Sequence, residues 1–526
     1  MNTQRPLEVR VTGGLIRGIR EGATTAWRGI PYAAAPVGRL RFRAPRRAVP
    51  WTGCRDATVF GKVAPQVHKG QFTGAAPDVP SGEDCLTINV VAPTSASAGL
   101  LPVMVFIHGG GYSAGSSRDF SGQGRNFVDT GKVVYVSFNY RLGALGYLDF
   151  SRYSTLRRPM ESNLGLRDQI AALGWVHRNI HLFGGDPDRV TVFGESAGGN
   201  AVTTLMGTPS ARGLFARAIA QSAPPDAVYS RAMAAGWAEQ FVEVLRSQTA
   251  LVGPDAPSGA GEPVARDAPL TVEATVALLT RAEPLALATA ALVLQARTPA
   301  QMPGTFCLAP VIDGRLVPRH PMASFRNGTA HRIPLIIGTN DREGTIFRGR
   351  IDILPRSAPR IAAVLARGTD EGRDHIARAY PGLPGAGTAA DFGGDYAFWY
   401  PCVAVAERHS RYAPVYVYRF DVAPRLLRWA GLDATHGLEL FALFEQADAP
   451  LARTMTSLGG RKVFSSAGAR MRDAWLRFAA VGAPPAYWPE YVVPRRLTLI
   501  IAQPDRIESD PRAERRRAWT ALLPLA

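Results

Sequence analysis

Short, almost continuously apolar segments alternate with longer helical patterns along most of this sequence. Residues 103–107 read Val-Met-Val-Phe-Ile and residues 334–338 read Pro-Leu-Ile-Ile-Gly, without the polar alternation of a half-exposed strand. Strands of this kind suit a sheet that is buried on both faces, and the helical segments between them supply the cover. The sequence therefore predicts an α/β fold with a mostly parallel central sheet and helices on both of its faces.

The same patterns place the individual elements along the chain. The predicted strands are residues 102–108, 133–141, 189–194, 333–340, 415–420 and 497–502. The predicted helices include residues 166–179, the run that follows Ser196, and residues 467–481. Near the N-terminus, residues 7–19 carry Gly13-Gly14 at their centre, which predicts an antiparallel hairpin.

We expect a single domain over residues 1–526, with residues 233–302 forming a helical insertion within it. Residues 251–269 are rich in Pro, Gly and Ala and lack periodicity, which is typical of a surface loop. Helical patterns then resume from Val272 to Ala296. The chain is long enough for more than one domain, so length alone does not decide the division.

The balance of charge is strongly basic, because 60 Lys and Arg stand against 43 Asp and Glu and give a formal net charge of +17. Such a balance could serve nucleic-acid binding. The arginines are nevertheless scattered and interleaved with acidic residues, whereas a recognition surface concentrates its charge in a stripe or on one helix. We therefore expect no nucleic-acid partner.

Three features favour a cytoplasmic location. The 4 cysteines show no Cys-x-x-Cys spacing and form no dense framework, which fits a reducing compartment. The N-terminal residues lack the apolar core of a secretion signal. The charge-free apolar segment between Glu283 and Arg297 is too short to span a bilayer, so no membrane span is expected.

The clearest chemical motif is Gly194-Glu195-Ser196-Ala197-Gly198, a G-x-S-x-G pattern. A strand-like segment precedes it and a helix-compatible segment follows it, so the chain turns sharply at the serine. The turn forces the flanking residues to be small and exposes the hydroxyl, while the helix N-terminus offers N–H groups to a developing oxyanion. The motif predicts that Ser196 is a nucleophile rather than an ordinary serine in a Gly-rich turn.

A second Gly-rich element, residues 108–112, reads His-Gly-Gly-Gly-Tyr and follows a predicted strand. Consecutive glycines allow backbone N–H groups to face a cleft without obstruction by Cβ atoms. A loop of this type supplies oxyanion donors in serine hydrolases. Phosphate binding is the rival interpretation, but no Gly-Lys-Ser/Thr follows the glycines.

A nucleophilic serine needs a base and an acid, and a strand–turn–helix serine is followed in sequence first by the acid and then by the base. His436 lies in a predicted loop ahead of an apolar segment, whereas His375 and His409 have charged, helix-like surroundings that favour solvated side chains. Asp341 and Glu343 both follow a buried strand, at the end where catalytic groups gather. The residues alone do not decide between these two acids.

Taken together, the sequence resembles the type-B carboxylesterases, the cholinesterase-like branch of the α/β-hydrolases. The matching motifs run nearly from end to end of the chain and keep their order. They are residues 27–33, 83–86, 108–112, 139–143, 168–169, 183–187, 193–199, 338–347, 436–439, 475–482 and 488–489.

The resemblance implies an α/β-hydrolase fold and a role for each site residue. Ser196 would be the nucleophile, Glu343 the acid and His436 the base, because glutamate is usual at the acid position in this family. The implied oxyanion donors are the amides of Gly110, Gly111 and Ala197. Glu195 and Ser222 match family positions that surround the triad and would support it.

The expected reaction is hydrolysis of a small-molecule carboxylic ester through an acyl-enzyme, without a metal or organic cofactor. The same triad could act on thioesters, lactones or amides. A non-catalytic scaffold on the same fold is a further alternative, although all three triad candidates are present. The oligomeric state, monomer or homodimer, is left open. Cys85 matches a cysteine that is commonly disulfide-bonded in the family, but Ala64 stands at its usual partner's position, so we expect no bridge there.

Overall fold

The computed structural model describes residues 4–67, 78–251, 270–348, 352–446 and 449–523. The predicted surface loop over residues 251–269 therefore lies, after residue 251, outside the described residues. The four cysteines are all described and none is paired; Cys85 is buried with a free thiol.

Strands of the described chain form one large and two small sheets. In chain order they are β1 (Glu8–Val11), β2 (Gly14–Arg17), β3 (Ile19–Glu21), β4 (Thr24–Pro31), β5 (Cys54–Asp56), β6 (Thr87–Pro93), β7 (Leu101–Ile107), β8 (Val134–Phe138), β9 (Gly185–Glu195), β10 (Arg217–Gln221), β11 (Tyr229–Ser230), β12 (Val311–Ile312), β13 (Leu335–Asn340), β14 (Val415–Phe420), β15 (Leu497–Ile501) and β16 (Arg506–Ser509).

Helices fill the connections between these strands. They are α1 (Phe120–Gln123), α2 (Arg125–Val128), α3 (Gly143–Tyr147), α4 (Leu164–Asn179), α5 (Ala197–Met206), α6 (Arg231–Leu251), α7 (Val272–Arg281), α8 (Pro284–Gln301), α9 (Pro321–Arg326), α10 (Ala358–Leu365), α11 (Asp370–Ala379), α12 (Ala386–Gly394), α13 (Tyr400–His409), α14 (Arg425–Trp429), α15 (Leu438–Leu443), α16 (Pro450–Met455), α17 (Arg461–Val481) and α18 (Ala513–Leu522).

The large sheet has 11 strands in the order β16-β15-β14-β13-β10-β9-β7-β8-β6-β4-β3. Every pairing from β15 across to β8 is parallel, while the pairings at the two edges are antiparallel. The predicted mostly parallel centre is confirmed. The predicted N-terminal hairpin is confirmed as well, because β1 pairs antiparallel with β2 outside the large sheet.

Strand β7 shows why the central strands need apolar residues at every position. Val103 and Val105 belong to one hydrophobic cluster, and Met104 and Phe106 belong to another. Successive side chains of a strand point to opposite faces, so the two clusters lie on opposite faces of the sheet. Both faces are therefore packed, which is what a continuous apolar run predicts.

The parallel centre brings several loops to one edge of the sheet. β9 ends at Glu195 and is followed by Ser196, β10 ends one residue before Ser222, and β13 ends three residues before Glu343. These strands are neighbours in the sheet and run in the same direction. Their carboxyl ends consequently converge, and polar residues that are far apart in sequence meet there.

Residues 233–302 contribute the helices α6, α7 and α8, as far as they are described. On α8, the side-chain amide of Gln295 donates to the carbonyl of Gly111 at 3.4 Å, so this helix lies beside the Gly-rich loop. The division into one domain with a helical insertion stays a prediction. Of the helices that the structure describes, none alone has the length and apolar character to cross a membrane, although the bent pair α7–α8 meets both criteria jointly.

Candidate active site

Ser196 stands at the turn between β9 and α5, in the backbone conformation that a sharp turn requires. Its φ is 58° and its ψ is −122°, a region that residues with a side chain rarely adopt. Its N–H donates to the carbonyl of Gln221 at 2.9 Å, which ties the turn to β10. A Cβ atom on Gly198 would lie 2.1 Å from the carbonyl oxygen of Ile107, so glycine is required there.

The Gly-rich loop after β7 packs directly against this turn. A Cβ atom on Gly109 would come 2.7 Å from the carbonyl oxygen of Glu195 and 3.4 Å from Cβ of Ser196. The N–H groups of Gly110, Gly111 and Ala197 find no acceptor among the described residues. Unengaged amides beside a serine hydroxyl are what an oxyanion hole requires.

His108, the first residue of this loop, packs against Tyr140. Its ring stacks on Tyr140 with 4.4 Å between centroids, and the Tyr140 hydroxyl donates to the His108 carbonyl at 2.6 Å. Burial lowers the pKa of His108 to about 4, so the ring is neutral at physiological pH. The histidine thus anchors the loop without adding charge.

His436 and Glu343 form a short, largely buried pair. Nδ1 of His436 lies 2.5 Å from Oε2 of Glu343. The other oxygen of Glu343 accepts hydrogen bonds from Oγ of Ser222 at 2.6 Å and from the N–H of Asn340 at 2.6 Å. Glu343 is therefore fully engaged and can hold the imidazole in a single orientation.

The carboxylate of Asp341, the other candidate acid, contacts arginines and not His436. Its carboxylate lies 2.6 Å from Arg512 and 3.4 Å from Arg419. Of the two acids after β13, Glu343 alone contacts His436. The structure thus brings together the pair that the family resemblance implies.

The two other late histidines lie elsewhere in the fold. His375 on α11 is partly exposed and stands 3.8 Å from Glu371, as a solvated helix residue would. His409 is buried, and the prediction of a solvated side chain was wrong for it. It ends α13, its Nε2 lies 2.9 Å from the carbonyl oxygen of Ile333, and Phe325 packs against its ring. The adjacent charged residues Glu407 and Arg408 are half-buried, whereas the side chain of His409 is fully buried.

Carboxylates dominate the electrostatics around His436. Oε1 of Glu195 lies 3.2 Å from Nε2 of His436, and Nε2 has no hydrogen-bond partner among the described residues. Burial opposes the charged ring, but Glu195, Glu343 and Glu439 outweigh it and raise the pKa of His436 to about 9. Burial also raises the pKa of Glu195 well above its usual range. The imidazole therefore holds its proton more tightly than an ordinary histidine does.

Comparisons with known proteins identify the family of this chain. The sequence model described as the carboxylesterase family matches residues 5–361. The chain is 34% identical to the para-nitrobenzyl esterase of Bacillus subtilis (strain 168) over 96% of both chains. The chain belongs to the carboxylesterase family. It is also 32% identical to the phenmedipham hydrolase of Pseudarthrobacter oxydans, over 91% of each chain.

Solved structures of other carboxylesterases have the same fold. A thermophilic PNB esterase superposes with a TM-score of 0.83 at 33% identity and covers 98% of this chain and 100% of its own. A second PNB esterase gives a TM-score of 0.81 at 32% identity with the same coverage. This carboxylesterase therefore has the α/β-hydrolase fold, and it is a carboxylic ester hydrolase.

A set of buried polar groups beneath the site had no predicted role. Glu439 is completely buried, and its oxygens accept hydrogen bonds from Asn340 at 2.5 Å and Gln221 at 3.4 Å. Burial, together with nearby Glu343, raises the pKa of Glu439. The one sequence signal for it was its place in the motif His-Gly-Leu-Glu, which gives no indication of burial.

The apolar side chains stacked beside the histidine are not those of the apolar segment that follows His436 in the sequence. The rings of Phe347 and Phe398 stack on each other at 5.6 Å and lie 5.1 and 4.4 Å from the ring of His436. Phe398 comes from a five-residue π-helix, Asp395–Trp399, which the sequence pattern does not distinguish from an ordinary helix. The two rings keep water from one face of the imidazole.

Proposed function

We propose that this carboxylesterase cleaves esters through an acyl-enzyme formed on Ser196, with His436 as the base and Glu343 as the acid. The observation that carries the proposal is the 2.5 Å pair between His436 and Glu343 at the same sheet edge as the strained turn of Ser196. Each group comes from a different loop, and a nucleophile, a base and an acid from separate loops are what the acyl-enzyme mechanism requires.

In this mechanism Nε2 of His436 takes the proton from Ser196 as the hydroxyl oxygen attacks the ester carbonyl. Glu343 holds the Nδ1 proton and stabilises the imidazolium that forms. The imidazolium then protonates the departing alcohol, and water repeats the sequence on the acyl-enzyme. Each step uses groups of the chain itself and water.

The free state of Nε2 supports its part in this sequence. Nε2 has no hydrogen-bond partner among the described residues, so its lone pair is available to the serine proton once the imidazole is neutral. Catalytic hydrogen bonds are often long in unliganded enzymes and tighten when substrate binds. The unengaged amides of Gly110, Gly111 and Ala197 would receive the oxyanion, with Glu195 and Ser222 supporting the pair.

For the substrate we propose a small, uncharged ester. Its apolar part would lie against the phenyl rings of Phe347 and Phe398. One relative is named a para-nitrobenzyl esterase, which supports an aromatic ester as a first choice for this chain. A cytoplasmic location stays a prediction, supported by the four free thiols.

The test compares Ser196→Ala with the wild type on a short-chain p-nitrophenyl ester. We expect the variant to lose turnover while its circular dichroism spectrum and melting temperature stay unchanged. Ser97→Ala, at an exposed loop position, is the matched control and should keep full activity. Turnover by Ser196→Ala at the wild-type rate would refute the nucleophile, and an inactive wild type across esters, thioesters, lactones and amides would indicate a non-catalytic scaffold.

A further inference from the structure

The loop that carries Glu343 and the loop that carries His436 are joined by Arg342. Arg342 follows β13 by two residues and immediately precedes the acid. Nη1 of its guanidinium donates to the carboxylate of Asp433, on the histidine loop, at 2.8 Å. Nε donates to the carboxylate of Asp391, on α12, at 2.9 Å. One side chain thus connects three segments at the sheet edge.

Backbone and hydroxyl contacts align the same two loops. The N–H of Arg342 donates to the carbonyl of Ala434 at 3.0 Å. Oγ1 of Thr345 lies 2.6 Å from the carbonyl oxygen of Leu432 and 2.8 Å from Oγ1 of Thr435. The two loops therefore run side by side for several residues, on either side of the Glu343–His436 contact.

Asp433 is the residue of the histidine loop that the side chain of Arg342 contacts. Its φ is 50°, a left-handed conformation that is uncommon for a residue with a side chain. Within the part of the chain that the structure describes, Arg342 is the one ion-pair partner of its carboxylate. An ion pair thus holds a residue of uncommon backbone conformation three positions before His436.

The ion pair is partly shielded and belongs to a network. The side chains of Arg342 and Asp433 are 26% and 32% exposed, and Asp391 also stands 3.5 Å from Arg515 of α18. Networked and partly buried pairs hold geometry better than isolated surface pairs, which contribute little. Arg515 in turn contacts buried Asp395 at 3.0 Å, so the network reaches the protein interior.

We propose that Arg342 is a positioning residue of the catalytic relay. It fixes the histidine loop against the acid loop through Asp433, so that Nδ1 of His436 stays within hydrogen-bond distance of Glu343. The proposal rests on the proposed function, because it assigns a role within that relay. A displacement of about 1 Å at a reacting group can cost about 10²-fold in rate, so a loosened loop should affect turnover more than substrate binding.

The experiment measures kcat and KM separately for Arg342→Met, Asp433→Asn and the double variant, on the same p-nitrophenyl ester. We expect each single variant to lose about 10- to 100-fold in kcat with little change in KM. The double variant should be no worse than the poorer single variant, because both substitutions remove the same contact. Arg342→Lys, which keeps one charged contact, should recover part of the loss.

The matched control is Arg348→Met, on the same segment but exposed and without an ion pair to a described residue, and it should keep the wild-type kcat. Arg342→Met with wild-type kcat would overturn the proposal, as would losses in the single variants that multiply in the double variant. If Arg342→Met does not fold, the nearly isosteric Asp433→Asn decides by the same criterion. Failure of the proposed function is a separate result, because Ser196→Ala would then leave wild-type turnover unchanged.

Discussion

Replacing Glu195 with glutamine should move the acidic limb of the pH–rate profile to lower pH. The carboxylate oxygen lies 3.2 Å from Nε2 of His436. At that distance, with an effective dielectric constant of about 20, a full charge would stabilise the imidazolium by about 5 kcal/mol. Burial raises the pKa of Glu195, so its charge is only partly present while His436 titrates. We therefore expect a shift of about 1–2 pH units, the range usual for a charge this close.

The direction of this shift follows from the role of His436 as the base. A raised pKa keeps His436 protonated to higher pH, and protonated imidazole cannot accept the serine proton. As the pH is lowered, kcat/KM of the wild type should accordingly begin to fall at a pH above about 6.5, the pKa of an ordinary histidine. Removing the charge of Glu195 lowers the pKa of His436, so Glu195→Gln should remain active at lower pH than the wild type.

The assay is kcat/KM for a p-nitrophenyl ester across the stable pH range, with product measured at a wavelength that is independent of pH. Glu8→Gln, on the remote N-terminal hairpin and largely exposed, is the control and should leave the profile in place. A limb that stays in place or moves to higher pH in Glu195→Gln would refute the assignment of the raised pKa to this carboxylate.

Three further substitutions test the surroundings of the site. Ser222→Ala removes the 2.6 Å hydrogen bond to ionised Glu343, a contact worth about 1.5–3 kcal/mol, so kcat should fall by about 10- to 100-fold; an unchanged kcat would contradict that role. Gly109→Ala would place a Cβ atom 2.7 Å from the carbonyl oxygen of Glu195 and displace the Gly-rich loop. We expect kcat to fall by about 10²–10³-fold, and the melting temperature is measured alongside kcat. Asp168→Asn removes the negative charge that lies 2.6 Å from the buried guanidinium of Arg141. It should lower the free energy of unfolding in urea by about 3–5 kcal/mol, whereas an unchanged midpoint would count against this role.

The parts of the fold that could be predicted are the strands whose residues form a nearly continuous run of β-branched and aromatic side chains. The expected strand at residues 415–420 is β14, and the expected strand at residues 102–108 differs from β7 by one residue at each end. Strand β6 was not predicted although it is buried throughout, because Thr and Asn interrupt its apolar run. Strand β10 is short and rich in alanine, so its pattern does not distinguish it from a helix. Neighbouring strands, rather than local preference, determine these segments.

For the site, the order of the motifs located the loops but not the directions of their side chains. Asp341 and Glu343 are two residues apart at the same sheet edge, and what separates them is the short 3₁₀ turn that starts at Glu343. His409 seemed solvated because its neighbours are charged, yet helix packing turns its ring inward. Arg342 contacts Asp391 and Asp433, both distant in sequence, rather than its neighbour Asp341. Such choices depend on tertiary contacts that no local pattern contains.

The nucleophile can be tested most directly by covalent labelling with an organophosphate ester that mimics the first tetrahedral intermediate. The wild-type protein should be inactivated with one phosphoryl group per chain, and peptide mass mapping should find that group on Ser196. A label on any other residue with equal loss of activity, or full ester turnover after stoichiometric labelling of Ser196, would contradict the account.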